Sequence, residues 1–249
     1  MAKRAPKRTA QQRRRLIIES AQAMFAASSY ARVGTAELAK AAGISEPALY
    51  RYFPSKKELF ISTIKAAGKR LLDIWERLAS EIVDPLEIIR AIGLGYYDHL
   101  RSRSPVMKLL FQALSEADDE EIREALHSNF AAFIRFLVEN IEEGKRQGLI
   151  RQDVNPTVAA WKFMAFGLTL DLTHLLSFDE ALDRSNVEHW GKLYLDSIRE
   201  TAPAEHKAAG RAVSKRFERY TVENWGDLYL DSIEEGDSWW RLGPRPPRY

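Results

Sequence analysis

An all-α fold is what the 249 residues predict, on three observations. Apolar residues return every three or four positions in one segment after another, the spacing that lines a single face of a helix. Capping side chains stand directly before proline at Asp84-Pro85, Ser104-Pro105 and Asn155-Pro156, which is how helices commonly open. Gly43 and Gly148 follow the last residues of periodic runs, where a left-handed backbone ends a helix. The length is enough for a substantial core, arranged as one compact helical unit or two.

Composition removes several classes of function. The chain has no cysteine, so disulfides and thiolate metal sites are excluded, and no metal or cofactor is expected. The most apolar stretch, Trp161 to Leu176, is interrupted by Lys162 and Asp171 and is too short to span a bilayer. No apolar run follows the basic start, so neither a signal peptide nor membrane association is expected, and a cytoplasmic location is. Gly-x-Ser-x-Gly, phosphate-binding glycine loops and His-Glu-x-x-His are missing, the five histidines are scattered, and Gly93 and Gly95 make only a Gly-x-Gly in a helical pattern. No catalytic residue is predicted.

Charge is unevenly distributed behind a formal total of +2. Residues 1 to 70 hold fifteen Lys or Arg against four Asp or Glu, a net +11, and the remainder holds twenty-two against thirty-one, a net −9. Such a split is the footprint of a nucleic-acid-binding domain attached to an acidic partner domain. Residues 1 to 11 read as a basic arm, disordered when free and lying along phosphates or in the minor groove when DNA is bound. A tail that serves only solubility is the plainer alternative.

From Thr9 to Ser28, Leu16, Ile17, Ala21, Met24 and Phe25 recur at helical spacing and predict a scaffold helix. Thr35 is expected to cap a short helix that turns Leu38, Ala39 and Ala42 inward. Gly43 turns the chain, Ile44 fills the angle, Ser45 caps a second short helix over 46 to 52, and Pro47 falls in its first turn. Ser55 caps a third helix, whose opening amides join Lys56 and Lys57 in a predicted anion site. Two helices about a glycine turn also make an ordinary core corner. The aromatic and basic side chains Tyr50, Arg51 and Tyr52 favour a DNA reader.

Thr35, Leu38-Ala39, Ala42-Gly43-Ile44-Ser45, Leu49-Tyr50, Phe53, Ser55-Lys56 and Leu59 together resemble the amino-terminal domain of TetR/AcrR-type transcriptional regulators. The resemblance covers residues 12 to 72. It departs from the family pattern where Tyr52 replaces a common histidine, Pro47 a common glycine, and Ser29-Tyr30-Ala31 a glycine-containing turn. It implies a three-helix helix-turn-helix domain joined by a long helix to a helical effector-binding and dimerisation domain over 73 to 200. Thr35, Ser45, Pro47, Ala48, Tyr50, Tyr52 and Lys56 would then meet DNA. Ser45, Ala48 and Tyr50 are expected at base edges or in the groove, and Thr35, Tyr52 and Lys56 on phosphates.

Beyond Ser55 a single helix to about Ser80 is expected, with Leu59, Ile64, Leu71, Ile74 and Leu78 inward. Helices over 85 to 102 and 105 to 115 follow, then a long one from the acidic Glu116 to Glu121 patch to Gln147. The Gln147 to Pro156 segment also resembles a turn of TetR-type proteins, and Asn155 caps a helix from Pro156 to Leu176. This acidic domain is rich in aromatics. Tyr96, Tyr97, Met107, Phe111, Phe133, Phe163 and Phe166 are expected to be mainly core, yet to wall a cavity for a small lipophilic effector, with Asp171 and His174 at its polar end.

The resemblance further implies a homodimer built on the helix from Pro156 and the one over 186 to 200, opened by Asn186. Trp161, Ala165, Leu168, Leu172, Trp190, Leu193, Tyr194 and Ile198 are the candidate contacts, with packing inside one chain as the alternative. Residues 201 to 249 form an extension in which VENWGDLYLDSIEE, residues 222 to 235, repeats VEHWGKLYLDSIRE, residues 187 to 200, at eleven of fourteen positions. The function expected is a ligand-responsive homodimeric repressor that binds a palindromic double-stranded operator and is released by its effector. The alternative is a ligand-independent DNA-binding or architectural protein.

Overall fold

The structure is a computed structural model that describes residues 9–101, 106–178 and 183–200. The basic arm before Thr9, the Ser104-Pro105 opening and the repeat at 222 to 235 lie outside the described residues. Among the described residues the chain is all-α, with nine helices and no strand: α1 (Ala10–Ala27), α2 (Thr35–Ala41), α3 (Glu46–Tyr52), α4 (Lys56–Glu81), α5 (Pro85–Arg101), α6 (Val106–Ser115), α7 (Glu120–Arg146), α8 (Pro156–Leu175) and α9 (Arg184–Ile198). They form two units. Residues up to Arg70, with α6 and α7 as far as Asn129, make the first; Leu71 to Arg101, Phe130 to Phe178 and 183 to 200 belong to the second.

Helix ends follow the capping chemistry, with two changes of residue and one cap that makes no side-chain bond. Thr9 opens α1 in a full capping box with Gln12. The Ser55 hydroxyl accepts the Glu58 amide at 3.0 Å, and Asn155 accepts from Val158 at 3.1 Å. The N-cap of α2 is Gly34 rather than Thr35, and its amide donates to the Glu37 carboxylate at 2.9 Å. Ser45 holds the N-cap position of α3 without a side-chain cap bond. Asp183, not Asn186, caps α9 and accepts the Asn186 amide at 2.8 Å. A carboxylate nearer the chain reversal competes better for those amides than a neutral amide inside the first turn.

The first unit closes over Ile17, Phe25, Leu38, Leu49, Phe53 and Phe60, each 2% exposed or less. Phe25 meets Phe60 edge-on, with centroids 4.9 Å apart. α6 adds Leu109 and Ala113 to this core and packs on α1. The second unit is centred on Trp75, Leu86, Ile89, Ile92, Leu137, Ile141 and Ile150, joined by Leu195 and Ile198 of α9. Here α9 also ties to the α7–α8 turn, where the Arg151 amide donates to the Ile198 carbonyl and the Glu200 amide to that of Leu149.

Candidate nucleic-acid interface and effector groove

Gly43 sets the angle between α2 and α3 with a φ of +65°, which an L side chain adopts only at a cost. The amides of Gly43 and Ile44 return to the carbonyls of Lys40 and Ala39, closing the turn. Of the α3 residues only Leu49 is buried. Ser45, Pro47, Tyr50 and Arg51 are exposed, Tyr50 at 45%, while Ala48 and Tyr52 are half-buried. With Leu49 buried and Tyr52 packed partly against the core, the helix leaves Pro47, Tyr50 and Arg51 facing outward.

Thr35 does not cap; it links the helices. Its hydroxyl donates to the Glu46 carboxylate and lies 3.4 Å from the Tyr50 hydroxyl, which donates to it. This chain of polar contacts aims Tyr50, and the Glu46 link was not legible because Thr35 and Glu46 are brought together only by the turn.

Lys56, expected on phosphate, is engaged by its own unit. Its ammonium donates to the carbonyls of Tyr30 at 2.9 Å and Val33 at 3.2 Å, approaches that of Ala31 at 3.5 Å, and lies over the Tyr30 ring, 4.6 Å from the centroid. The carbonyls left unpaired after α1 draw it inward. Lys57 donates to Asp119 at 3.1 Å and Glu121 at 2.6 Å, so the expected anion site of two lysines is engaged within the unit. Hydrogen bonds to those carboxylates raise the lysine pKa and lower that of Asp119.

In the second unit, the expected effector residues separate. Met107 and Phe111 belong to the first unit, and Tyr96, Tyr97, Phe133, Phe163, Phe166, Asp171 and His174 to the second. Tyr97 and Phe133 are buried core. Asp171 is 1% exposed and accepts the Tyr96 hydroxyl at 2.6 Å. Burial pushes its carboxyl up to about 6, against the smaller opposing pull of Tyr96 and His174.

Phe163 and Phe166 do line a groove of about 640 Å³ among α5, α8 and α9. Ile89, Gly93, Leu94 and Val187 complete its apolar wall, and Arg90, Glu188, His189 and Lys192 are among its polar lining. Those polar residues were not foreseen: α5 and α9 lie about a hundred positions apart, and no periodicity reports their contact.

The expected dimer residues divide by exposure. Trp161 is 50% exposed, Leu172 47% and Leu193 55%, Ala165 is exposed and Leu168 half-buried. Val158 and Leu176 extend this apolar stripe along α8. Trp190 packs edge-on to Phe166 with centroids 4.4 Å apart, and Tyr194 donates to the Ala159 carbonyl at 3.0 Å. Ile198, 3% exposed, is a correction: it serves its own chain's core.

A basic helix-turn-helix unit with an outward second helix, followed by a second helical unit, defines a DNA-binding transcriptional regulator. The sequence family of bacterial regulatory proteins named for tetR matches residues 17–63. The chain is 30% identical over 152 residues to the nucleoid occlusion factor SlmA of Marinobacter nauticus (strain ATCC 700491 / DSM 11845 / VT8), covering 59% of this chain and 74% of that protein. It therefore belongs to the TetR family of regulators. It is also similar to SlmA of Marinomonas sp. (strain MWYL1), at 34% identity over 112 residues, 44% of this chain and only 55% of that relative's length. Among solved structures, the fatty acid degradation regulator FadR from Bacillus halodurans shares the fold, with a TM-score of 0.63 and 21% identity over 76% of this chain and 97% of that one. Among the described residues no helix is long and apolar enough to cross a membrane.

Proposed function

We propose that the chain is a homodimeric, ligand-responsive repressor without enzymatic activity. The observation that carries this reading is α3, which fully buries only Leu49 and, with its N-cap Ser45, presents Ser45, Pro47, Tyr50 and Arg51 outward from a strongly basic segment. Ser45, Pro47, Ala48 and Tyr50 read the major groove, while Thr35 and Tyr52 lie against phosphates. Lys56 serves from behind by holding the turn after α1. One seven-residue helix makes few base contacts, so specificity needs a second copy placed one DNA turn away, about 34–36 Å. The exposed stripe of Val158, Trp161, Leu172 and Leu176 supports pairing through α8.

The effector site is the α5–α8–α9 groove, where an apolar floor and a charged rim suit an amphipathic molecule. Release from DNA follows only so far as the ligand prefers a conformation with unfit spacing. Selection of bound genomic fragments followed by footprinting tests the proposal: one or a few palindromic sites are expected, and no enrichment over bulk DNA would reject it.

A second reading, a ligand-independent DNA-binding protein, is favoured by the curated relatives, which are named nucleoid occlusion factors. Many dispersed sites, and a chain whose DNA binding no small molecule alters, would select that reading.

A further inference from the structure

The glycine turn brings Thr35, the first residue of α2, against Glu46, the first residue of α3. The Thr35 hydroxyl donates to the Glu46 carboxylate and accepts from the Tyr50 hydroxyl, 3.4 Å away. Thr35 and Glu46 are half-buried, whereas Tyr50 is 45% exposed on the outward side of α3. Three side chains from two helices thus form one polar relay, with its open end at the surface proposed to read DNA.

The direction of the relay follows from counting protons. A hydroxyl carries one, and a carboxylate has none to give. The Thr35 proton is therefore committed to Glu46, and the Thr35 oxygen keeps only lone pairs. The Tyr50 phenol meets those lone pairs with its own proton, which leaves the phenol oxygen with lone pairs alone for anything outside the fold. Glu46 sets this polarity from two hydrogen bonds away.

Glu46 and Tyr50 stand four positions apart and share a face of α3. Both offer acceptors there. Arg51, the next residue, is turned about 100° round the helix and does not change that face. In the major groove adenine and cytosine present an exocyclic amino group, while guanine presents N7 and O6 and thymine O4, all of them acceptors.

We propose that Glu46 is a positioning residue for base recognition: through Thr35 it turns the Tyr50 proton inward, so that Tyr50 meets DNA as an acceptor and selects a base with an exocyclic amino group, adenine or cytosine. Facing guanine O6 or thymine O4, the phenol oxygen and the base would confront each other with no proton between them. The hydrogen bond gained with an amino group is worth about fivefold in affinity. Thr35 lies beside phosphate without donating to it, because its proton is already used. The inference rests on α3 reading the major groove, and adds the polarity of what it reads.

The test uses the full chain and duplexes selected from a random pool. Wild type should enrich adenine or cytosine at a position of each half-site that Tyr50→Phe leaves unspecified. Putting purine in place of that adenine, or 2-pyrimidinone in place of that cytosine, deletes only the amino group; it should weaken wild-type binding about fivefold and Tyr50→Phe binding not at all. Thr35→Val and Glu46→Ala each release the phenol proton, so each should flatten the ranking of bases at that same position, and the two combined should do no more than either alone. Removing the Glu46 charge also raises affinity for every sequence alike, which is why the ranking is the readout. Equal binding of wild type to intact and amino-deleted duplexes overturns the proposal and needs no variant to fold. A Glu46→Ala chain that keeps the wild-type ranking overturns it as well. Enrichment of guanine or thymine at the Tyr50 position defeats this inference and leaves the repressor reading standing, whereas a pool with no enriched sequence defeats both.

Discussion

Replacing Lys56 with Met removes an ammonium that faces three backbone carbonyls and one aromatic ring while keeping an apolar stem of similar length. Two of the three contacts, at 2.9 and 3.2 Å, have ordinary hydrogen-bond lengths, and the third, at 3.5 Å, is marginal. Charged donors to otherwise unpaired carbonyls contribute about 1.5–3 kcal/mol. Half-burial of the side chain argues for the lower half of that range. A loss of about 2 kcal/mol corresponds to a Tm decrease of roughly 4–8 °C in a chain of this size. The DNA readout separates the structural role from a phosphate contact. A lysine neutralising one phosphate lowers the slope of log affinity against log salt by about 0.9 on removal. A lysine that only holds the Tyr30 to Val33 turn leaves that slope alone, and lowers affinity for every sequence alike by loosening α2 and α3. Thermal unfolding and a salt titration of operator and non-operator duplexes on Lys56→Met therefore decide the matter. An unchanged Tm with a shallower salt slope would refute the role read from the geometry.

Other outcomes follow from the same structure. Tyr50→Ala should weaken operator binding by about 1–3 kcal/mol in a gel-shift titration, with Tm little changed because the side chain is 45% exposed; a large Tm loss would make Tyr50 a packing residue. Gly43→Ala meets open space around a new Cβ, so its cost of about 1–2 kcal/mol should come wholly from the positive φ, and a neutral result in denaturant melts would contradict that strain. Asp171 has its carboxyl raised from 3.8 to about 6 by burial, so its stabilising effect is present below about pH 3.8 and is lost as pH rises through about 6, roughly 3 kcal/mol in all. Asp171→Asn, still able to accept from Tyr96, should flatten that decline and raise Tm at pH 7.5; an undiminished decline would assign it to another group. Trp161→Asp with Leu172→Asp should yield monomers in sedimentation and weaken operator binding, and a dimer that survives both changes would place the interface elsewhere.

Much of the first unit was legible before any coordinates. Ser55 as a cap and Gly43 as a left-handed stop, like Asn155 and Gly148 in the second unit, follow from local rules, because each depends on neighbours within four residues. The local rules failed where several groups competed for one role. Gly34 and Asp183 took the N-cap positions expected for Thr35 and Asn186, and the carbonyls after α1 engage the Lys56 ammonium. The aromatic wealth of the acidic segment was visible as composition, yet nothing in it separated Phe163 and Phe166, which line the groove, from Tyr97 and Phe133, which are core.

By itself, the sequence determined the helices, the turn between α2 and α3, the segregation of charge, and the repeat of residues 187 to 200 at 222 to 235, since all are written in residue order and spacing. Only the tertiary structure decided that Lys56 and Lys57 face inward partners, that Ile198 belongs to the core, and that α5, α8 and α9 meet around a groove. Those outcomes depend on which residues from distant segments come within a few ångströms of each other, and one-dimensional periodicity carries no record of that distance.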